Sequence, residues 1–249
     1  MAGLPSINDL GLSGLLAAQR AISTTSHNIA NVNTEGYSRQ RVEFQARTPQ
    51  TLTGFEFGRG VEVSSVKRVV DAIAVEQIVG HTASSGSSEH FQNLAERLDR
   101  VLADANTGLS PALGGFFSAL AQVADSPSSA SERQVLLSEG RTLADRFRVL
   151  DARFKEIDAG ISDEVRATVD NINSLAHSIA GMNERITDRG LSAPQNDLLD
   201  QREQLVRKLA ELTGVTTVEQ DNGAIGVFTG RGHPLVSGQT VAELRAVAN

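Results

Sequence analysis

The sequence contains no cysteine and no tryptophan, and it has one tyrosine among its 249 residues. The absence of cysteine excludes disulfide bonds and thiolate metal sites. Aromatic residues make up only 4% of the chain, so a core that depends on large rings is not expected. This composition favours long helices that pack along stripes of Leu, Ile, Val and Ala.

Clustered positive charge and long apolar runs are also lacking. Lys and Arg number 23 against 30 Asp and Glu, for a formal net charge of -7; nucleic-acid binding is not expected, because phosphates are recognised by clustered cations. The segment Met1–Asn28 has no apolar core typical of a Sec signal peptide. No run approaches the roughly 20 apolar residues that span a bilayer. We predict no nucleic-acid partner and no membrane insertion.

The N-terminal segment, residues 6–32, has the period of an amphipathic helix. Apolar residues recur every seven positions, and a second set of smaller residues follows three positions after each. A single helix cannot bury such a stripe alone, so partner helices from the same or another chain are required. We therefore predict that these positions pack between subunits, and we call them the seam: Leu15, Ala18, Ile22, Thr25, Ile29 and Val32.

The period changes after Gly36, which is expected to adopt a positive φ and end the helix. Residues 41–47 and 60–66 alternate between apolar and polar, as strands do. Residues 69–79 are expected to return to helix. The small residues Ser84–Ser88 predict a linker or bend.

Three helical patterns follow this linker. Apolar spacing predicts helices over 89–102, 111–124 and 130–189. Ser129 and Glu132 form a capping-box pattern at the start of the longest one. At 1.5 Å per residue, that helix would be about 90 Å long.

Pro194 ends the long pattern, and a second helix is expected to return from it as far as Leu212. Asn196 or Asp197 is expected to cap this helix. Residues 215–218 and 225–228, joined by Asp-Asn-Gly, predict a β-hairpin.

We predict a mainly α fold with a long antiparallel helical hairpin or coiled-coil bundle. An N-terminal amphipathic polymerisation helix, short extended segments and the start of a C-terminal β region complete it. The predicted organisation has four segments: an axial coiled-coil helix at 1–36, an extended linker with a short helix at 37–88, a helical rod-like domain at 89–213, and the start of an outer β domain, incomplete as it stands, at 214–249.

The sequence offers little for catalysis. Its five histidines are scattered without an i, i+4 pair or an HExxH pattern, and no GxSxG occurs. A peptidoglycan-cutting pair of acids would need a cleft, and no pattern marks one. We predict no catalytic residues, no cofactor and no metal site.

Residues 26–37 read SHNIANVNTEGY. An ordinary helix end accounts for the glycine but not for three asparagines and a tyrosine at these spacings. The segment resembles the signature shared by the rod, hook and hook-associated proteins, the axial protein family of the bacterial flagellum. The matching positions are Asn28, Ile29, Ala30, Asn31, Asn33, Thr34, Gly36 and Tyr37.

Two later segments are similar to the hook-associated members of this family. Residues 60–71 read GVEVSSVKRVVD, and residues 196–206 read NDLLDQREQLV. The second resembles a returning-helix motif, whose matching positions are Asn196, Asp197, Leu198, Leu199, Asp200, Gln201 and Arg202. The three matches occur in the family's order and cover nearly the whole chain.

The resemblance implies a non-enzymatic structural subunit at the hook–filament junction, outside the cell and exported through a type III route without a Sec signal peptide. It implies a ring of about eleven copies, a closed rotational assembly. Other implied partners are the hook protein, a second hook–filament junction protein, and the export apparatus with its chaperone. Family members are longer and return a C-terminal helix to the N-terminal one. Because no such segment occurs here, we expect a fragment, or else impaired incorporation.

Two alternatives stay open. A rod or hook protein would share the N-terminal signature. A coiled-coil interaction protein unrelated to flagella would explain the helical periodicity, and it would self-associate in the cytoplasm without being secreted.

Overall fold

The computed structural model describes residues 7–52, 55–102, 108–189 and 195–247. Within these ranges five helices and eight short strands form, so the prediction of a mainly α fold is confirmed. The helices are α1 (Ile7–Ala30), α2 (Ala72–Leu102), α3 (Leu109–Asp125), α4 (Ala130–Arg189) and α5 (Asn196–Leu212). The strands are β1 (Gln40–Ala46), β2 (Gln50–Leu52), β3 (Phe55–Phe57), β4 (Val61–Arg68), β5 (Val215–Glu219), β6 (Ile225–Thr229), β7 (Pro234–Ser237) and β8 (Thr240–Val241).

The chain divides into two compact units. The first combines Met1–Ser84 with Ile172–Glu243, and the second combines Ser85–Asn171 with Leu244–Asn249. Both divisions within the chain's middle fall inside helices, namely α2 and α4. The four segments predicted from the sequence stay a prediction.

In the first unit, β1 and β4 form an antiparallel ladder that runs from the Gln40–Arg68 pair to the Ala46–Val61 pair, with an irregularity after Glu43. The strand predictions for these segments are confirmed. The short β2–β3 hairpin lies between them in the chain and was not predicted. Helix α1 lies against β1 and β4.

The remaining strands form one antiparallel sheet in the order β5-β6-β7-β8. The predicted hairpin is confirmed as β5 and β6, with Gly223 at a φ of 83° in its turn. β7 was missed because its segment is rich in turn residues. Pro234 is its first residue, a strand position that proline tolerates well.

The core of the first unit contains the later part of α4, α5 and the β6–β7 strands. The buried seam of α4 includes Ile172, Ile179 and Ile186, which recur every seven residues as predicted. In contrast, Phe147 and Phe154 of the same predicted stripe, which belong to the second unit, are 51% and 41% exposed. The other buried apolar residues of this core are Ala176, Ala180, Leu198, Val206, Leu209, Ala210, Val227, Leu235 and Val236.

The predicted linker at Ser84–Ser88 is wrong, because these residues lie inside the continuous helix α2. Ser84 Oγ donates to the Gly80 carbonyl at 3.1 Å, which satisfies its hydroxyl without breaking the helix, and serine is only modestly unfavourable in helices. α2 starts at Ala72 because Asp71 Oδ1 accepts the N–H groups of Ile73 (3.0 Å) and Ala74 (3.2 Å). An N-cap therefore sets this boundary.

The long predicted helix is confirmed as α4, with 60 residues. At its start, the Glu132 N–H donates to Ser129 Oγ at 3.3 Å, one half of the predicted capping box. Among the described helices, none is long and apolar enough to cross a bilayer.

Candidate subunit-packing surface and its anchor

The seam is largely exposed; it lies on α1 except for Val32, which follows the end of the helix at Ala30. Leu15, Ile22, Ile29 and Val32 are 67%, 67%, 69% and 73% exposed, and Ala18 and Thr25 are exposed as well. Ile7, Leu12 and Leu16 add further exposed apolar surface to the same helix. An exposed row of large apolar side chains is typical of surfaces through which proteins pack against partners.

The face of α1 that packs inward is made of small side chains. Its buried residues are Ser13, Ala17 and Thr24. Thr24 Oγ1 donates to the Arg20 carbonyl at 3.0 Å, and Ser13 Oγ donates to the Leu10 carbonyl at 2.8 Å. Their hydroxyls are therefore satisfied within the helix, and the helix backbone can approach β1 and β4 closely.

Asn28 of the family signature joins the end of α1 to the start of β1. Its Nδ2 donates to the Gln40 carbonyl at 2.9 Å, and its Oδ1 accepts the Gln40 N–H at 2.8 Å. Tyr37 Oη donates to the same Oδ1 at 2.8 Å and lies 3.0 Å from His27 Nδ1. Asn28 thus pairs with Gln40 as a neighbouring strand would, which explains the asparagine and the tyrosine of the signature together.

The residues between them, 31–37, form what we call the motif turn. Asn31 Nδ2 donates to the His27 carbonyl at 3.0 Å, and Thr34 Oγ1 donates to Asn31 Oδ1 at 3.2 Å. Gly36 has a φ of 74°, as predicted from the sequence. The signature residues Ala30 and Asn33 are exposed, and their contacts do not explain their presence in the signature.

The returning-helix motif on α5 binds the motif turn and the residues just after it. The contacting side chains on α5 are at positions 197, 200 and 204, so they share one helix face. Three hydrogen bonds join the two segments: Ser38 N–H to Asp200 Oδ2 (3.1 Å), Gln40 Nε2 to Asp197 Oδ1 (3.2 Å), and Gln204 Nε2 to the Glu35 carbonyl. Two of the three segments that carry the family resemblance therefore meet here.

Arg68 brings in the third segment. Its Nη1 lies 2.7 Å from Asp200 Oδ1 and 3.3 Å from Glu203 Oε2. The side chains of Arg68, Asp200 and Glu203 are 18%, 9% and 16% exposed. This ion triad is largely shielded from water, so loss of one partner would leave an uncompensated charge.

The predicted cap at the start of α5 is wrong. The N-cap residue is Gln195, and its side chain makes no capping hydrogen bond. Asn196 Nδ2 instead donates to the Val66 carbonyl on β4 at 3.0 Å. The amide therefore serves a tertiary contact, as does Asp197.

Arg202 of the returning-helix motif anchors α5 to the core. Its Nη1 donates to Asn183 Oδ1 at 3.0 Å and to the Gly223 carbonyl at 2.7 Å. Burial lowers the pKa of Arg202 to about 10, so the guanidinium stays charged at neutral pH. Asn183, fully buried, also donates to the Ile225 and Gly238 carbonyls and accepts the Ile225 N–H.

The other motif residues of α5 follow its amphipathic pattern. Leu198 is buried in the core, Leu199 is half-buried and Gln201 is exposed.

Burial raises the pKa of Tyr37 above its ordinary value, and the carboxylates of Asp197 and Asp200 raise it further. The hydroxyl therefore stays protonated and continues to donate to Asn28.

Within the described residues, no group of three or more His, Asp or Glu is arranged to hold a metal ion. An open groove of about 1100 Å³ in the first unit is lined by residues of both charges, including Arg20, Lys67, Asp197 and Glu219.

Models of two known protein families match the chain, in segments that include the residues described above. The model of the family described as "Flagellar hook-associated protein FlgK helical domain" matches residues 95–249. The model described as "Flagella basal body rod protein" matches residues 9–37, which include most of α1 and the motif turn.

Relatives match along almost the full chain. The chain is 34% identical to "Flagellar hook-associated protein 1" of Salmonella typhimurium over 248 residues, covering 98% of this chain and 45% of the relative. The protein of the same name from Escherichia coli is also 34% identical, over 249 residues. The chain thus spans about half the length of the curated relatives it matches.

A solved structure agrees. "The structure of the flagellar hook junction protein FlgK from Burkholderia pseudomallei" has a TM-score of 0.62 and 31% identity, covering 68% of this chain and 30% of that one. All of these relatives are flagellar hook-associated or hook junction proteins by name. The family model alone covers more than half of the sequence. The chain belongs to the FlgK family of flagellar hook-associated proteins.

Proposed function

We propose that this chain is part of a structural subunit of the hook–filament junction, and that it joins hook to filament by packing the seam of α1 against neighbouring subunits. One observation carries the proposal: the predicted seam is exposed along its whole length, while the family signature ties the end of α1 to α5. The arrangement holds an uncovered apolar face in a fixed position.

Assembly would supply the missing contacts. Burying a Leu, Ile or Val side chain is worth roughly 1.5–3 kcal/mol relative to leaving it exposed. With Leu15, Ile22, Ile29 and Val32 on each copy, the favourable free energy is multiplied around a ring. Part of it offsets the translational, rotational and side-chain freedom that each copy loses on assembly.

A series of hydrogen bonds, which we call the anchor, connects α1 to the core of the first unit. Asn28 and Tyr37 link the end of α1 to Gln40 at the start of β1. Asp197, Asp200 and Gln204 of α5 bond to Gln40, Ser38 and Glu35, respectively. Arg202 then links α5 to the buried Asn183. Load on α1 would pass to the core through hydrogen bonds rather than through a flexible linker.

The proposed partners are further copies of this chain in a ring, the hook protein, a second hook–filament junction protein, and the flagellar export apparatus with its chaperone. The proposed location is the flagellum outside the cell, reached by type III export. A ring of about eleven copies is the stoichiometry that the family resemblance implies, and it is a closed rotational assembly. No nucleic acid, membrane or cofactor takes part.

Deletion of the gene that encodes this chain tests the proposal. Electron microscopy should show finished hooks without filaments, and monomeric flagellin should accumulate in the culture medium. Normal motile flagella in the deletion strain would contradict the proposal.

A rod or hook role is the second candidate, because the rod-protein model matches residues 9–37. The rod protein FlgG of Caulobacter vibrioides is 38% identical over 74 residues, but these cover only 24% of this chain. The hook-associated match over residues 95–249 favours the junction. Missing hooks in the deletion strain would support the rod or hook role instead.

A further inference from the structure

Helix α1 comes close to the start of β4 at Ser13 and Gly60. Gly60 has a φ of 88°. A Cβ atom at this glycine would lie 2.1 Å from Ser13 Oγ and 3.1 Å from Ser13 Cβ. Ser13 Oγ also accepts the Val61 N–H at 3.3 Å. A side chain at this position requires the Ser13 hydroxyl or α1 itself to move, and the positive φ adds strain of its own.

This contact is one end of a narrow stripe along α1. Ser13, Ala17, Thr24 and Asn28 are separated by four, seven and four residues, a spacing that keeps them on one face over four turns. At the far end of the stripe, Asn28 makes its two hydrogen bonds with Gln40. The helix is therefore held at both ends, by Gly60 and by the start of β1.

The stripe buries little apolar surface, because its side chains are small or polar. The docking of this stripe therefore determines the direction in which the seam faces more than it stabilises the fold. Successive residues are offset by about 100° around a helix, so a change of one position in the docked face would redirect the seam by the same angle. The seam residues Leu15, Ile22 and Ile29 lie outside the stripe and are largely exposed.

We propose that Ser13 and Gly60 are positioning residues that fix the rotation of α1 about its own axis and thereby aim the seam at neighbouring subunits. The proposal rests on the proposed function, because it assigns a role to residues that do not themselves form the subunit contact. The close Ser13–Gly60 approach sets the rotation at one end, and Asn28 sets it at the other.

Gly60→Ala tests this in the purified chain. The absence of cysteine allows two spin labels to be attached at introduced cysteines, at the exposed positions Gln19 on α1 and Lys208 on α5. We expect the distance distribution between the labels to shift or broaden in Gly60→Ala. Gly232→Ala is the matched control, because Gly232 also has a positive φ, 82°, but no atom within 4 Å of the added Cβ.

Second-site rescue separates positioning from simple loss of folding. Ser13→Gly removes the two atoms nearest to the new Cβ and leaves Leu10 Cδ2 at 3.6 Å, an ordinary contact. Ser13→Gly combined with Gly60→Ala should therefore restore the distance distribution. A merely destabilised fold would not regain it when a glycine is added to α1. An unchanged distribution in Gly60→Ala, or no rescue by Ser13→Gly, would overturn the proposal.

The same variants, introduced into the chromosomal gene, test whether the rotation of α1 affects filament assembly. Gly60→Ala is expected to lose filaments, and the double variant is expected to regain them. Normal filaments in Gly60→Ala cells despite a shifted distance would also overturn the proposal. Failure of the proposed function would appear separately, as normal filaments in cells that carry Ile22→Asp in the seam itself.

Discussion

Helices α1 and α5 belong to the same unit, are both amphipathic and use their faces in opposite ways. α5 buries seven of its 17 residues, including Leu198, Val206 and Leu209, and its contacts complete the core. α1 buries three of 24, all of them small, and exposes its large apolar side chains. The comparison teaches that an apolar stripe does not by itself show which way a helix faces. In this chain α5 packs within its own unit, whereas we propose that α1 packs against neighbouring subunits.

The largest effect on the free energy of unfolding is expected from the core of α5. Leu209→Ala should cost about 2–5 kcal/mol because the side chain is fully buried. Leu15→Ala on α1 removes the same atoms from an exposed position and should stay within about 0.5 kcal/mol. Denaturant unfolding followed by the fluorescence of Tyr37, the sole tyrosine, reports on this unit. Equal costs for the two variants would contradict the comparison.

The ion triad on α5 should show the next largest effect. Asp200→Asn leaves Arg68 without its closest carboxylate in a shielded site, and we expect a cost of about 3 kcal/mol. Glu62→Gln is the control, because the Arg47–Glu62 pair is about two-fifths exposed at 3.6 Å, and exposed pairs contribute at most about 1 kcal/mol. The same unfolding measurement applies. A cost for Asp200→Asn no larger than that of its control would show that the triad does not hold α5.

A smaller effect is expected at the motif turn, which connects the two helices. Gly36→Ala should cost about 1–2 kcal/mol for the positive φ alone. The added Cβ would also meet the Gln204 side chain at 2.1 Å, so docking of the turn on α5 should weaken. Gly58→Ala has no atom within 4 Å of its Cβ and should be close to neutral. A neutral Gly36→Ala would mean that the turn is not held by α5.

The smallest effect is the titration of Tyr37. Its pKa should lie above 10.0 because of burial and the neighbouring Asp197 and Asp200, and ultraviolet absorbance against pH measures it directly. Asp197→Asn should lower the midpoint. Because the folded-state pKa is raised, the folded chain binds this proton more tightly, so the contribution of Tyr37 to stability is fully present below pH 10 and is lost as pH rises through the folded pKa. A midpoint at or below 10.0 would contradict the contact between Tyr37 and α5.

Sequence periodicity predicted the elements whose neighbours lie on the same element or close in the chain. The sevenfold spacing of Ile172, Ile179 and Ile186 predicted their common face, and Gly36 and Gly223 marked turns that do require positive φ. Both kinds of signal are local. They predicted where helices and hairpins form, but not which other elements each of them packs against.

Contacts between elements distant in the sequence could not be predicted, because these sequence signals are local. Asn196 fits a helix cap as well as it fits the contact with Val66 that it actually makes. The inward face of α1 was missed because Ser13, Ala17 and Thr24 have no apolar signal, and the glycine that receives Ser13 is distant in the sequence. Asn183, a polar residue between Ile179 and Ile186 in a buried seam, was a signal that could have been read as a buried hydrogen-bonding site.

The most direct test of the account compares two neighbouring substitutions on α1 in the chromosomal gene. Ile22→Asp places a charge in the seam, and Ser23→Asp places the same charge at an adjacent exposed position outside it. The measurement is the number of filaments per cell by electron microscopy, with the chain itself assayed in the culture medium to show that export is intact. The account predicts that Ile22→Asp is exported but forms no filaments, whereas Ser23→Asp forms them normally. Normal filaments in Ile22→Asp cells would contradict the claim that the outward face of α1 is where subunits pack.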